Sequence, residues 1–442
     1  MEAVSPNAFY DSDNRPDPPK CHPKTRVAVI NKIIDWATGK IDTNAFILWL
    51  YGPAGAGKTA IARKVAEIFA EHGLLLASFL FFRSDSQRNT MKPLVANIAY
   101  RVTSVIPDAR EPINTIIESD PLILLSSVET QLTKLVFQPL RLLVNQGQFS
   151  NRHFPPLIVI DGLDECLDKD SQTNLIQLLS SSVARYQLPI KFLIASRPEL
   201  HIKSAVAIAG EQSIVSHLEL NNDFRPDDDI RCFLTDKFRE IKKFHPFRSG
   251  IPSHWPSEQQ MDTLICKASG QFIYASLAVR FINSTRNSPV RQLDIVLELR
   301  PPIDHDLPFA ELDTLYTYIL SCTKSPDLVL SILGLYDILT MELLLGEDAL
   351  EIVDFILGLE DGDVCIYLSP LNSLLEVQGR EDYPGIIFHH SSFMDFLHSP
   401  ERSKDYYIYP QKSHFLIAQW ILQLFTSDGM CPQSLFNLVL FG

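Results

Sequence analysis

The stretch GPAGAGKT has the composition and spacing needed to hold a polyphosphate. Glycine permits a tight turn because it can take a positive φ, and such a turn points successive backbone N–H groups inward as an anion-binding nest. The Lys58 ammonium would then reach the β- and γ-phosphates, and the Thr59 hydroxyl would ligate Mg²⁺. The residues predicted to contact the nucleotide are Gly52, Pro53, Ala54, Gly55, Ala56, Gly57, Lys58 and Thr59.

The sequence on either side of this turn supports the same interpretation. Phe46–Tyr51 is a continuous apolar run of strand length, and Thr59–Glu71 alternates apolar and charged residues at helical spacing. A helix that begins at the turn would direct its positive N-terminus at the phosphates. The alternative is a chance match, whose probability in a chain of this length is on the order of 1%. The placement between a strand and a helix favours the nucleotide site.

A second apolar run leads into three carboxylates. In LIVIDGLDEC, Asp161 closes the run Leu157–Ile160, at the position from which a carboxylate holds Mg²⁺ through water. Asp164 and Glu165 follow within about one turn, where a carboxylate would orient or activate an attacking water. The alternative for this pair is an acidic loop that caps the next helix. We predict Asp161 as a metal ligand with Thr59, and the pair as catalytic residues.

An arginine follows a further apolar run. In FLIASRPE, Arg197 stands directly after the run and before a proline. A guanidinium at the end of a strand matches the oxygens of a γ-phosphate in a bidentate manner. The alternative is an ordinary surface ion pair. We predict Arg197 as a catalytic residue that senses the γ-phosphate.

The apolar runs predict the fold that positions these side chains. Besides the runs above, ASFLFF ends at Phe82, IKFLIAS ends near Ser196, and SHLEL is a candidate fifth strand. Strands that are apolar throughout and alternate with helices indicate a doubly wound parallel sheet covered on both faces. We therefore predict an α/β P-loop NTPase domain over residues 25–222. Residues 1–24, rich in Pro, Asp and Asn, are predicted to form a mobile tail.

The remaining sequence is predominantly helical in pattern. We predict a helical domain over residues 223–325. Within residues 326–405, two short runs, Leu374–Val377 and Gly385–Phe388, flank a polar turn and precede a helix. A hairpin after helices suits a winged-helix domain. A C-terminal helical segment is predicted over residues 406–442.

Composition narrows the choice of partners. The chain of 442 residues carries 39 Lys and Arg against 53 Asp and Glu, a net charge of −14, which argues against nucleic acid as the main partner.

No membrane span is expected, because Asp327, Asp337 and Glu342 interrupt the most apolar long window. The opening residues lack the apolar core of a secretory signal, and seven scattered cysteines without CxxC predict reduced thiols and no zinc site. A cytoplasmic protein is expected.

Taken together, the motifs resemble the NACHT domain. This is the nucleotide-binding module of the STAND signalling NTPases, found in animal inflammasome receptors and in fungal incompatibility proteins. The segments CHPKTRVAVINKIIDWATG, FFRSDSQRNTMKPLVANIAYR and ASGQFIYASLAVRFI are similar to the nephrocystin-like NACHT group of mushroom-type fungi. The resemblance spans roughly residues 20–405.

The resemblance implies a switch operated by ATP or GTP with Mg²⁺, with ADP or GDP bound at rest. It further implies slow hydrolysis, domain opening, and self-association or binding to another signalling protein. A winged-helix histidine in a His-x-Ser-Phe pattern contacts the diphosphate in this class, and here the pattern begins at His390. Its neighbour His389 is not expected to do so. On sequence alone, either histidine is more often a packed core residue.

Some features depart from the family pattern and leave alternatives open. Gly270 is followed by Gln271 and Phe272 and not by the proline common in relatives, so the choice between ATP and GTP stays open. The chain shows neither an effector domain before the module nor repeats after it, so the sensor is expected on another chain or the product is truncated. The alternatives are a scaffold that holds nucleotide without meaningful hydrolysis and a small-molecule P-loop kinase. The kinase is disfavoured because no compact lid motif is present.

Overall fold

The computed structural model describes most of the chain in two compact units. Contacts divide the chain into Met1–Glu298 and Leu299–Gly442. The described residues are 3–12, 20–83, 85–149, 154–210, 214–301, 309–343, 348–378 and 385–426.

The first unit is built on the predicted parallel sheet. Its strands are β1 (Ile47–Tyr51), β2 (Leu75–Leu80), β3 (Leu157–Asp161), β4 (Lys191–Ser196) and β5 (Val215–Glu219). All neighbours pair in parallel, in the spatial order β2-β3-β4-β1-β5. The sheet confirms the α/β prediction, and it places the carboxyl ends of β3, β4 and β1 side by side, where ligands of such sheets bind.

Both faces of this sheet are buried, which explains why the strands are apolar without alternation. Ile158 and Ile160 belong to the core on one face, Leu157 and Val159 belong to the core on the other face, and all four are fully buried. Side chains of a strand alternate between the two faces, so a strand covered on both sides needs apolar residues at every position.

Twelve α-helices surround the sheet or follow it within the described part of this unit. They are α1 (Val27–Ala37), α2 (Lys58–Glu71), α3 (Lys92–Val105), α4 (Arg110–Ser119), α5 (Val128–Leu132), α6 (Gln138–Asn145), α7 (Lys169–Tyr186), α8 (Leu200–Gly210), α9 (Pro226–Phe244), α10 (Glu258–Ala268), α11 (Phe272–Ile282) and α12 (Pro289–Glu298). A single π-helical turn, Thr133–Phe137, joins α5 to α6. Helices α9 to α12 thus belong to the same compact unit as the sheet. The domain boundary predicted near residue 222 remains a prediction.

The N-terminal residues pack on this unit. The Ser5 N–H donates to Asn97 Oδ1 at 2.7 Å, and Asn97 Nδ2 donates to the Ser5 carbonyl at 2.7 Å. Ala8 is fully buried. The predicted mobile tail over residues 1–24 therefore includes a packed part, because a reciprocal amide pair and a buried alanine outweigh the polar composition around them. Residues 13–19 of that predicted tail lie outside the described residues.

The second unit contains seven described helices and one hairpin. They are α13 (Ala310–Ser321), α14 (Pro326–Met341), α15 (Ala349–Leu357), α16 (Asp363–Leu368), α17 (Ser392–Leu397), α18 (Pro400–Ser403) and α19 (Pro410–Thr426). Strands β6 (Leu375–Gln378) and β7 (Gly385–Phe388) pair in antiparallel fashion, within one residue of the predicted runs. The polar turn between them lies outside the described residues. The predicted boundaries at 325 and 405 and the winged-helix assignment remain predictions.

A partly buried ion pair joins α13 to α18 in this second unit. Arg402 donates to both carboxylate oxygens of Asp313, from Nε at 3.0 Å and from Nη2 at 2.6 Å. The guanidinium also lies 5.1 Å from the centre of the Phe309 ring.

Helix α14 covers most of the long apolar window noted in the sequence. None of the helices in the described part of the chain combines the length and apolarity needed to cross a membrane.

Candidate nucleotide-binding site

The turn between β1 and α2 has the backbone conformation that the glycine pattern predicts. Gly55 and Gly57 adopt φ values of +74° and +91°, in the left-handed region that side-chain-bearing residues avoid. Gly52 is required for a different reason, because a Cβ there would lie 3.0 Å from Leu220 Cβ. The turn leads directly into α2, whose first residue is Lys58. The chain thus presents a P-loop followed by a helix N-terminus, as phosphate binding requires.

Lys58 reaches back over the P-loop. Its Nζ donates to the carbonyl oxygens of Gly52 and Pro53, both at 2.9 Å. Burial lowers the pKa of Lys58, while the negative charge of Asp164 acts most strongly to raise it. A phosphate would take the place of these carbonyls as the acceptor, and would also offset the burial of the ammonium.

Asp161 and Thr59 together fit a Mg²⁺ ion. The Asp161 side chain is 2% exposed, and its Oδ1 has no hydrogen-bond partner among the described residues. Burial raises the pKa of Asp161 to about 7, against which a hydrogen bond with Thr59 acts to lower it. A buried carboxylate oxygen without a partner is costly, and a cation would satisfy it. Mg²⁺ is commonly held by one or two carboxylates together with substrate phosphates and water, which matches this pair.

Asp164 and Arg197 form a fixed pair. The Arg197 N–H donates to Asp164 Oδ1 at 2.8 Å, and Arg197 Nε lies 3.2 Å from Asp164 Oδ2. Asp164 is 6% exposed, so both oxygens are occupied in a buried setting. Asp164 thus holds Arg197 in place. The catalytic roles of Asp164, Glu165 and Arg197 remain predictions.

Glu165 is the more accessible of the two neighbouring carboxylates. It ends a short 3-10 turn, Leu163–Glu165, which Gly162 initiates with a φ of +71°. Its Oε2 accepts a hydrogen bond from the Arg83 N–H at 3.1 Å, and Arg83 Nη2 donates to the Asp164 carbonyl at 3.2 Å. Arg83 therefore supports the acidic turn. The sequence showed Arg83 only as an arginine beyond the second strand, and no local pattern marks it.

Arg26 is a second residue that the sequence motifs did not single out. Its Nη2 donates to the carbonyl of Ala56, within the P-loop, at 2.8 Å. Arg26 stands just before α1, in the segment CHPKTR that was noted only for its resemblance to relatives. The sequence shows Arg26 only as an arginine in that segment, and only the fold buries it beside the P-loop.

His390 lies in the second unit, two residues before the start of α17. Its Nδ1 accepts a hydrogen bond from the Ser392 N–H at 3.0 Å, and the Ser392 hydroxyl lies 2.8 Å from the same nitrogen. Because Nδ1 is an acceptor, the neutral ring carries its proton on Nε2 and can donate from there. His389 is placed differently, with Nε2 at 3.1 Å from the Asn372 carbonyl. The contact of His390 with a diphosphate remains a prediction.

Residues 30–197 match the family model described as Nephrocystin 3, N-terminal. The matched range includes the P-loop and the loops after β3 and β4, so the match and the geometry concern the same site. The matched segment covers well under half of the chain, and the second unit lies outside it.

Several solved structures share a low overall similarity with the chain. Cdc6p from Pyrobaculum aerophilum is 14% identical with a TM-score of 0.37, covering 92% of this chain and 97% of that chain. A STAND protein with a tetratricopeptide repeat sensor from Pyrococcus horikoshii is 12% identical with a TM-score of 0.42, covering 87% and 44%. Orc1 of Aeropyrum pernix, solved with DNA, is 15% identical with a TM-score of 0.36, covering 88% and 94%. These scores are too low to carry an argument. No curated protein matches the sequence.

Gly55→Ala is expected to distort the P-loop. A Cβ at this position would lie 2.1 Å from Ile273 Cγ2, and the left-handed backbone would add a cost of about 1–2 kcal/mol. Gly73→Ala is the matched control, because its φ of +65° carries the same strain while nothing lies within 4 Å of the added Cβ. Melting temperature and nucleotide affinity should fall further for the first variant than for the control.

A double-mutant cycle tests the contact itself. Ile273→Ala should cost less stability in the Gly55→Ala background than in the wild type, because the smaller side chain makes room for the new Cβ. If the cost of Ile273→Ala is the same in both backgrounds, the close approach of these two residues is not what makes glycine necessary.

Proposed function

We propose that the chain is a nucleotide-operated signalling switch. It binds ATP or GTP with Mg²⁺, hydrolyses it slowly, and couples the bound state to domain opening and to association with itself or with another signalling protein. The observation that carries the proposal is the convergence of three features at the carboxyl edge of one sheet. They are the P-loop, the Asp161 oxygen that has no partner among the described residues, and the Asp164–Arg197 pair. The parallel sheet of the first unit and the match of residues 30–197 to the family model support the nucleotide-binding part.

Each residue has a distinct task in this proposal. Backbone N–H groups of the P-loop and the Lys58 ammonium hold the phosphates, and Thr59 and Asp161 hold Mg²⁺, which when bound neutralises the charge that builds up on the phosphates. Arg197 is held by Asp164 so that its guanidinium approaches the γ-phosphate. Glu165 orients the attacking water and accepts its proton.

The contacts of the P-loop support coupling to other parts of the chain. The Ile273 N–H donates to the Gly55 carbonyl at 3.3 Å, so the first turn of α11 is bonded to the P-loop. A change in the P-loop on binding or hydrolysis therefore acts directly on a helix beyond the sheet. Such a bond is a route by which the nucleotide state can act on α11, as a switch requires.

The second candidate function is a scaffold that holds nucleotide without meaningful hydrolysis. The positions of the two catalytic candidates favour it, because Asp164 is engaged with Arg197 and Glu165 accepts a hydrogen bond from the Arg83 backbone. In a scaffold these carboxylates would only shape the loop. In a slow NTPase Glu165 would still reach water, since its side chain is only partly buried.

Phosphate release separates the two candidates. Wild-type protein incubated with Mg²⁺ and ATP or GTP is expected to release phosphate over hours, and Glu165→Gln should lower the rate by about 10²-fold, since general-base catalysis contributes about 10²–10⁴-fold. Glu199→Gln is the control, because Glu199 is an exposed carboxylate after the neighbouring strand. Equal rates in wild type and Glu165→Gln would exclude Glu165 as the base and favour the scaffold.

His390→Ala is expected to speed the release of bound diphosphate. A hydrogen bond to a charged phosphate contributes about 1.5–3 kcal/mol, which corresponds to roughly tenfold or more in the dissociation rate. A stopped-flow chase of a fluorescent diphosphate measures it, with His389→Ala as the neighbouring control. Unchanged release in His390→Ala, or an equal acceleration in both variants, would remove His390 from the site.

The cellular setting belongs to the same proposal. The six described cysteines form no disulfide, and the chain is acidic, which suits a cytoplasmic switch that does not depend on nucleic acid. The resemblance to the nephrocystin-like group of mushroom-type fungi suggests fungal innate recognition or incompatibility as the setting. The choice between ATP and GTP is part of what the binding measurements decide.

A further inference from the structure

Two carbonyl groups of the P-loop accept hydrogen bonds from residues outside the glycine motif. The Ala56 carbonyl accepts a hydrogen bond from Arg26 Nη2 at 2.8 Å, and the Gly55 carbonyl accepts one from the Ile273 N–H at 3.3 Å. Arg26 precedes α1, and Ile273 lies in the first turn of α11. Neither residue belongs to the sequence pattern that predicted the nucleotide site.

A hydrogen bond that fixes a backbone carbonyl also fixes the direction of the N–H group of the following residue. In a planar trans peptide the C=O and the following N–H point in opposite directions. The bond from Arg26 therefore fixes the peptide between Ala56 and Gly57, and it turns the Gly57 N–H away from Arg26. An anion nest depends on such inward N–H groups. Arg26 thus acts on phosphate binding through the orientation of a backbone amide.

Arg26 is itself held in place by two later helices. Its own N–H donates to Asp229 Oδ2, on α9, at 3.0 Å, and its guanidinium carbon lies 4.7 Å from the centre of the Phe272 ring, at the start of α11. The backbone of Arg26 adopts a φ of +58°, an uncommon conformation for a residue with a side chain. These contacts restrict the guanidinium to one position beside the P-loop.

Burying the Arg26 guanidinium at this position costs free energy. The residue is 4% exposed, and its Nε has no hydrogen-bond partner among the described residues. Burial lowers the pKa of Arg26, and the Asp229 carboxylate raises it. An arginine remains protonated in proteins, so the site keeps a positive charge next to the P-loop. A purely apolar contact would fill the same space without a buried charge.

We propose that Arg26 is a positioning residue for phosphate binding, which orients the Gly57 amide through the Ala56 carbonyl and is held there by Asp229 and Phe272. The inference rests on the proposed binding of nucleotide at the P-loop. It extends that proposal because it makes phosphate affinity depend on residues of α9 and α11, far from the motif in sequence. Nucleotide binding and the packing of α9 and α11 are then coupled through the Arg26 side chain.

The chain contains a closely matched control for this role. Lys191 is a buried cation, 2% exposed, that donates to the Trp36 carbonyl at 2.6 Å and lies 4.7 Å from the Trp36 ring centre. Arg26 and Lys191 thus share burial, a backbone carbonyl acceptor and an aromatic ring. They differ in the acceptor, which belongs to the P-loop only for Arg26.

The experiment compares Arg26→Gln, Arg26→Lys and Lys191→Gln by titration with Mg²⁺-diphosphate and with pyrophosphate. Arg26→Gln is expected to weaken both ligands about tenfold or more, since a hydrogen bond from a charged group orients the amide. Arg26→Lys, which keeps a charged donor, should restore affinity to within about threefold of wild type. Lys191→Gln should bind as wild type, although both glutamine variants lower the melting temperature of the nucleotide-free protein.

Hydrogen exchange in the nucleotide-free protein adds a readout that keeps the inference testable if Arg26→Gln folds poorly. Phe272→Leu, which retains an apolar side chain but removes the ring face, should speed exchange of the P-loop amides and weaken pyrophosphate. Affinity in Arg26→Gln or Phe272→Leu within twofold of wild type, or equal weakening in Lys191→Gln, would overturn the positioning role. Failure of the wild type to bind either probe would instead overturn the proposed function.

Discussion

Replacing Lys58 with alanine is expected to abolish the rise in melting temperature that nucleotide gives the wild-type protein. A ligand that binds only the native state at 100 times its Kd stabilises that state by about 2.7 kcal/mol, which shifts the melting temperature by several degrees. The Lys58 ammonium lies at the P-loop carbonyls Gly52 and Pro53, where phosphates would be held. Without it, the phosphates lose a charged donor and the shift should vanish.

Lys64 provides the control on the same helix. Its side chain is partly exposed and pairs with Glu67, so Lys64→Ala removes a positive charge from α2 without touching the P-loop. This variant should keep the full nucleotide-dependent shift. A shift of wild-type size in Lys58→Ala would refute the assignment of the phosphate site. Loss of the shift in both variants would show that the rise in melting temperature depends on the overall positive charge of the protein and not on a binding site.

Asp161→Asn is expected to remove the Mg²⁺ dependence of nucleotide binding. Asp161 is the buried carboxylate beside Thr59, with one oxygen that has no partner among the described residues. An amide carries no charge and is a poor ligand for a hard cation, so affinity measured with and without Mg²⁺ should become nearly equal. The nucleotide-free variant should fold, because an uncharged group is less costly to bury at this position than a carboxylate.

Asp170→Asn is the matched control for this substitution. Asp170 is exposed in the first turn of α7, on the connection after the same strand. Its loss should leave the Mg²⁺ titration unchanged. A wild-type Mg²⁺ response in Asp161→Asn would show that the metal, if bound, is held elsewhere.

The sheet and the P-loop were predictable because their determinants are local. The run Leu157–Ile160 was predicted as a strand and the structure extends it by one residue, to Asp161. Continuous apolar residues bounded by polar turns leave few alternatives to a strand buried on both faces. The glycine pattern likewise requires positive φ at fixed positions, and Gly57 shows it.

The supporting contacts were not predictable because they join distant parts of the sequence. Arg26 and Arg83 bond to the P-loop and to the acidic turn, yet each stands in a segment without a pattern of its own. The role of Asp164 depended on finding the Arg197 N–H at its Oδ1. The reason for glycine at position 55 required Ile273, which the chain reaches only after the whole sheet is built.

The extent of the first unit also depends on contacts between residues that are distant in the sequence. Composition changes near residue 222, which predicted a boundary there, but α9 and α11 supply Asp229 and Ile273 to contacts around the P-loop. Segments that differ in secondary structure can still share one compact unit, because packing and not periodicity decides the division. The sequence could locate the change of pattern, but the contacts across it had to be observed.

The most direct test of the account is calorimetric titration of nucleotide-stripped, folded wild-type protein with ADP, ATP, GDP and GTP in the presence of Mg²⁺. We expect saturable binding of at least one purine nucleotide with one site per chain, lost in Lys58→Ala. If the folded protein takes up none of the four nucleotides, the P-loop does not hold phosphates and the proposed switch is contradicted.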